Sequence, residues 1–282
     1  MRALLQADRT RAVLTAGLAV AAVASMAACG VATSALEAPA VGPQQVSGSA
    51  RDEASRKARR APEARPTGPR CADGMALVNG AFCIDRWEAS VVELGPGGEE
   101  RPHSPFAPIG KARVKAVSVA GVHPQAYVSA VEAKAACTAA GKRLCKPAEW
   151  RTACVGSSKR AYGYGAAREP GRCNDSGKHP AIAMFGRRAW SWDEMNSPKL
   201  NQLAGTLDKT GERAGCANDL GVHDMVGNLH EWVDDPAGTF NGGYYLDVTM
   251  NGEGCGYTTT AHGARYHDYS TGFRCCGDAS AE

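Results

Sequence analysis

The sequence predicts an α+β domain that is loop-rich, braced by disulfides and exported. Three observations predict it. Ten cysteines lie between Cys71 and Cys276, an even set once Cys29 is set aside, and an even set in an exported chain reads as cystines. Only two stretches carry helix signals, while glycine-punctuated turns and short apolar runs fill the remainder. An apolar segment behind Arg2, Arg9 and Arg11 opens the chain, the pattern of an export signal.

Taken in order, "AVLTAGLAVAAVASMAA" (12–28) is apolar throughout but only seventeen residues long, short of the roughly 20 a spanning helix needs. "MAAC" (26–29) follows it and resembles the lipobox of bacterial lipoproteins, although Met26 stands where leucine is usual. Residues 1–28 are therefore expected to be a lipoprotein-type signal peptide and Cys29 the lipidated residue. A cleaved soluble signal and an uncleaved anchor are the alternatives, and all three export the domain. The expected location is extracytoplasmic, as a bacterial lipoprotein in the periplasm or on the outer membrane. The lipid would be its membrane contact.

Residues 29–70 are rich in Ala, Pro, Gly and Ser and then basic. Their few aliphatic side chains cannot offset the entropy of ordering, so a disordered tether is expected. Residues 51–70 carry +4 of the net +3, and residues 1–50 add +1, which leaves 71–282 at −2. A mildly acidic body excludes nucleic acid as a partner, because phosphates need a basic footprint.

The folded domain is expected over 71–282. "MALVNGAFCID" places Asn79-Gly80 between two apolar runs, a hairpin signal. "SAVEAKAACTAAGKRL" pairs Ser129 with Glu132 as a capping box, fills its interior with alanine and stops at Gly141. A second, short helix is expected to start at Pro147 and run through "AEWRTAC". There is no internal repeat and no C-x-x-C pair, which weakens a zinc reading.

Four stretches then carry a resemblance: "CIDRWEAS" (83–90), "AACTAAGKRLCKPAEWRTAC" (135–154), "GVHDMVGNLHEWVDD" (221–235) and "NGGYY…STGFRCC" (241–276). In this order they resemble the formylglycine-generating enzyme, or sulfatase-modifying-factor, family. The resemblance covers 71–282 and implies a C-type-lectin-like variant fold. It also implies two structural bridges, Cys137–Cys275 and Cys154–Cys255. For the other six cysteines the reading is Cys145–Cys276, a hairpin staple Cys71–Cys83, and Cys173–Cys216 in the central loops. The choice between Cys275 and Cys276 stays open at this stage.

Members of the family include copper-dependent oxidases with a reactive cysteine pair ten and five residues upstream of the second bridge cysteine. Counting back from Cys255 gives Tyr245 and Met250, while counting forward from the glycine pair gives Asp247 and Gly252. Neither register holds a thiol, and copper(I) sites of this kind need soft thiolates. Copper is therefore not expected. The resemblance implies calcium at Asn228 and Glu231, with a second site beginning at Asn174 and Asp175, since hard oxygen ligands suit that ion.

Two function classes follow. The first is a module that binds a protein, a peptide or a glycan through a loop whose tyrosines Tyr244, Tyr245, Tyr257, Tyr266 and Tyr269 supply rigid contact area. The second is an oxidoreductase with another metal set, for which His262, His267 and Asp268 offer two imidazoles and a carboxylate. His223 and His230 read as structural, Asp224 as a turn residue and Trp232 as core.

Overall fold

A computed structural model describes residues 68–280. The signal segment, Cys29 and the tether up to residue 67 lie outside the described residues. The fold already includes Arg70, whose backbone bridges Ser280 in both directions, so the two ends of the domain sit side by side.

Strands β1 (Met75–Val78) and β2 (Phe82–Asp85) form the expected hairpin. Asn79 and Gly80 turn it with φ of 51° and 67°, left-handed values that asparagine and glycine tolerate best. The hairpin joins β11 (Cys275–Asp278), and β11 in turn joins β6 (Arg143–Leu144), all antiparallel. The chain's first and last strands therefore share one sheet. A second sheet runs β3 (Ser90–Leu94) between β4 (Glu100–Pro102) and β5 (Val114–Val117). The third sheet has the order β10 (Thr271–Phe273), β7 (His230–Trp232), β8 (Phe240–Asn241), β9 (Thr258–Thr259), with β10 and β7 parallel.

Helix α1 (Ala130–Ala139) begins at Ser129, whose hydroxyl accepts from the Glu132 amide while the Glu132 carboxylate accepts from the Ser129 amide. Its alanines at 130, 133 and 136 are buried with Cys137, because small side chains let the helix lie close to the sheets. Helix α2 (Pro147–Val155) starts at proline as expected and buries Trp150, Ala153 and Cys154. Two short helices, α3 (Pro180–Phe185) and α4 (Trp192–Met195), were not expected. At six and four residues they are too short to show a helical period.

The core lies between these layers. Trp150 packs with Tyr162, Met225 and Val226 on one side, and Trp232 with Phe240 and Phe273 on the other. Five disulfides lock the loops: Cys71–Cys83, Cys137–Cys275, Cys145–Cys276, Cys154–Cys255 and Cys173–Cys216. The open choice at the C-terminus resolves, with Cys275 taking Cys137 and Cys276 taking Cys145.

Candidate functional site

The polar residues of the four motifs converge at one buried point. The guanidinium of Arg274 donates to Glu231 through Nη2 at 2.6 Å and Nε at 2.7 Å. It also donates to the carbonyls of Asp85 and His223 at 3.1 and 2.9 Å. Glu231 accepts a further bond from Trp150 Nε1 at 2.7 Å. Glu88 accepts from Asn228 Nδ2 at 2.6 Å and from the Leu229 amide at 3.2 Å. Asp224, left-handed at φ 57°, accepts from the Gly211 amide at 2.7 Å.

Glu88, Asp224, Glu231 and Arg274 are all buried. Burial first, then the charges of Asp224 and Glu231, push the Glu88 carboxyl well above the usual carboxylate range. Burial likewise pushes Asp224 up to about 7. One cation thus serves three buried carboxylates. This is an internal strut.

The candidate calcium ligands belong to that strut. Both oxygens of Glu231 are engaged by Arg274 and Trp150, while Asn228 Oδ1 accepts from Asn174 Nδ2 and the Asp208 amide. Each of these side-chain oxygens therefore has a partner within the protein. Asp175 accepts from Arg168 Nε at 2.6 Å and from the Gly171 amide at 3.1 Å, and Asn174 donates to the Thr206 carbonyl. In both pairs the side chains serve as connectors between loops.

The expected triad of His262, His267 and Asp268 does not form. His262 stacks on the Tyr266 ring at 3.7 Å, while His267 Nδ1 lies 2.7 Å from Asn196 Oδ1. Asp268 is buried and accepts from the Ser270 amide, the Ser270 hydroxyl and the Tyr266 hydroxyl. Each group has a separate partner. Among the described residues no set of three or more His, Cys, Asp and Glu is placed to hold a metal ion.

The tyrosine loop also needs correcting. Tyr245, expected on a contact surface, is fully buried, and its hydroxyl donates to Asn201 Oδ1 at 2.9 Å. Tyr257 and Tyr269 are buried too. Burial pushes Tyr244 and Tyr257 up to about 12. The loop folds inward because Gly242 and Gly243 let it approach other backbone: a Cβ on Gly243 would lie 2.2 Å from the Asp247 carbonyl. His230 sits among Phe240, Tyr244 and Tyr257, and burial lowers its pKa to about 3. It is structural, as its sequence context suggests.

The loop has no soft ligand pair for copper. The positions counted for the reactive thiols are the buried Tyr245 and an exposed Met250, or Asp247 and Gly252. Every cysteine from Cys71 to Cys276 is part of a disulfide. These positions therefore offer no thiolate pair of the kind copper(I) needs.

What does reach the surface is a different aromatic group. Trp192 opens α4 and is 49% exposed. Its ring meets Tyr266 edge-on at 5.5 Å and His267 at 4.8 Å, and His262 stacks behind Tyr266. The platform is held from beneath. Tyr266 donates to Asp268 at 2.6 Å, Asn196 donates to the Trp192 carbonyl at 3.0 Å, and Arg188 pairs with Glu194. Of the expected contact tyrosines only Tyr266 and part of Tyr244 are near solvent. Trp192 escaped notice, although "WSW" in a polar turn was a usable signal.

Comparison with known proteins decides the family. Residues 101–279 match the sulfatase-modifying factor enzyme 1-like domain (FGE-sulfatase). The chain belongs to the sulfatase-modifying factor family. Within it, the motifs described above are the buried strut and its neighbours. No curated protein matches the chain. Among solved structures it is similar to the major tropism determinant I1 variant (15% identity, TM-score 0.46) and the M1 variant (16%, 0.45). The matches cover 77% and 76% of this chain and 55% of each of those chains, so this chain spans just over half their length. The five disulfides fit an oxidising, extracytoplasmic compartment.

Proposed function

We propose that this sulfatase-modifying factor domain is a non-catalytic binding module, exported and lipid-anchored through Cys29, that takes a protein or peptide partner on the surface around Trp192. The observation that carries the reading is the exposed Trp192 ring on a platform whose other members are already fixed by stacking and hydrogen bonds. Tryptophan is a frequent anchor of protein interfaces, because its large rigid ring loses little conformational freedom on binding. Half-buried Tyr266, His262 and His267 supply the surrounding contact area. The cystine state of Cys255 and its fellows supports a binding role over the oxidation performed by copper-dependent relatives.

The test selects a displayed random-peptide library on the full-length protein, with Trp192→Ala as the counter-selecting target. Enriched peptides should bind the wild type and lose about tenfold or more on Trp192→Ala, with unchanged thermal stability. Peptides that bind both proteins equally, or none enriched, would refute this surface. Binding of a glycan array that depends on Trp192 would replace the peptide by a sugar. Thiol titration in denaturant without reductant should detect no thiol between Cys71 and Cys276. Two free thiols there would overturn the non-catalytic reading.

A further inference from the structure

A groove of about 300 Å³ lies beside Cys255, walled by Pro147, Ala148 and Arg151 of α2, by Asn241 and Thr258 of the β8–β9 pair, and by Tyr257 just before β9. None of these residues belongs to the Trp192 platform. Positions 147, 148 and 151 share one helical face, as residues three and four apart do. The groove floor is unusual in one respect. Asn241 is only 5% exposed, yet its side-chain amide makes no hydrogen bond among the described residues. The amide borders the open groove, and it is not among the buried side-chain atoms left without a partner, so it meets whatever fills the groove. Its neighbours Gly242 and Phe240 are fixed by strand pairing and by the Tyr257 carbonyl, so the amide cannot swing away by moving its backbone.

Arg151 is exposed and makes no ion pair among the described residues. It is close enough that a Cβ added to Gly256 would meet its Nη2 at 4.0 Å. The Tyr257 hydroxyl is already engaged by Asn251 Nδ2 at 3.0 Å, so the ring serves as a wall.

We propose that this groove is a binding site for a carboxylate. Arg151 offers only donors, Asn241 adds two N–H donors, and the Thr258 hydroxyl adds a third rotatable one. An ionised carboxylate is acceptor-only and matches that set, and its planar pair of oxygens suits a guanidinium fork. One arginine balances a single negative charge, which favours a carboxylate over a phosphate dianion. The volume fits a small acid or one acidic residue of a peptide.

The experiment titrates the full-length protein with N-acetylglutamate, with a glutamate-containing hexapeptide, with the glutamine counterpart of each, and with inorganic phosphate. The readout is the NMR shift of the Asn241 Nδ2 and Arg151 Nε resonances. Saturable shifts at both groups are expected for the two carboxylates, with the glutamine forms at least about tenfold weaker. Arg151→Gln, an exposed change that leaves the fold intact, should weaken carboxylate binding by about tenfold or more. Tighter binding of the hexapeptide identifies a peptide acid as the source, and equal binding identifies a free small acid. Equal affinity for glutamine and glutamate, tighter binding of phosphate, or shifts that never saturate would each overturn the assignment. Since Trp192→Ala should not affect these titrations, failure here and failure of the platform are separable.

Discussion

Replacing Arg274 by methionine tests the strut at its centre. The Arg274–Glu231 pair is fully buried, with side-chain exposures of 0% and 1%. Breaking a buried pair by removing one partner costs about 3–5 kcal/mol. The upper end applies, because Glu88 and Asp224 also lose the one cation whose charge favours their ionised forms. For a domain of this size 1 kcal/mol moves Tm by roughly 2–4 °C, so Arg274→Met, at about 5 kcal/mol, should lower it by about 10–20 °C. Glu231→Gln should cost much less, about 1–3 kcal/mol. Arg274 then still faces Glu88 and Asp224, and glutamine keeps an acceptor for Trp150 Nε1. The assay is thermal and urea unfolding at neutral pH without reductant. The deficit of Arg274→Met should also shrink at pH 5. Both remaining carboxyls are held above their ordinary range by burial, so they shed their charge as pH falls and need the cation less. If Glu231→Gln costs as much as Arg274→Met, the arginine is not shared and the reasoning fails.

Asp224 has an unfolded pKa near 3.8 that burial raises to about 7. Its stabilising contribution is full below the lower value and lost as pH rises through the upper one, with a slope of up to about 1.4 kcal/mol per pH unit. Asp224→Asn should flatten the urea midpoint between pH 4 and 7, and an unchanged profile would show that other groups set it. His230, whose pKa is lowered from 6.5 to about 3, acts with the opposite sign, and its contribution disappears as pH falls through that window. The Cys137–Cys275 and Cys145–Cys276 bridges are nearly redundant. With one in place the other closes a loop of only eight residues on one side and one on the other. Serine pairs at either bridge should therefore cost about 3 kcal/mol or less, while removing both should cost more than the sum. Strict additivity in urea unfolding would contradict this. Chelation should leave Tm unchanged, because Glu231 and Asp175 are engaged by arginines. A fall of several degrees restored by calcium would show that an oxygen site exists elsewhere.

Much of the scaffold was legible because its signals are local. Ser129 with Glu132, Asn79 with Gly80, and Pro147 each specify a cap or a turn within four residues, and each feature forms where the sequence places it. The five bridges followed from the ordered motifs together with an even cysteine count. The candidate site was far less legible. A run of tyrosines gives no period from which to tell inward from outward in a loop without strands. Tyr245 and Tyr257 turned inward once Gly242 and Gly243 allowed close backbone approach. His262, His267 and Asp268 are neighbours in sequence, yet each has its own partner in the fold. Trp192 and Tyr266 are 74 residues apart in the chain, beyond the reach of any local pattern.

The charged motif residues that reveal the family therefore lie inside the fold. Asp85, Glu88, Asn228, Glu231 and Arg274 come from three separated stretches, and their chemistry is spent inside: a carboxylate group that would repel itself is held by the Arg274 guanidinium, by Lys142 at Asp85 and by amide donors. Such a network has few alternative arrangements, because each member unpaired alone costs free energy. It fixes how the first hairpin, α2, β7 and β11 meet. Once those four elements are locked, and disulfides hold the loops between them, exposed positions such as Trp192, Thr249 and Met250 can change their side chains without altering the frame. The same frame then carries the Asn241 amide at the groove and an open ring at Trp192, and the two binding proposals rest on these features.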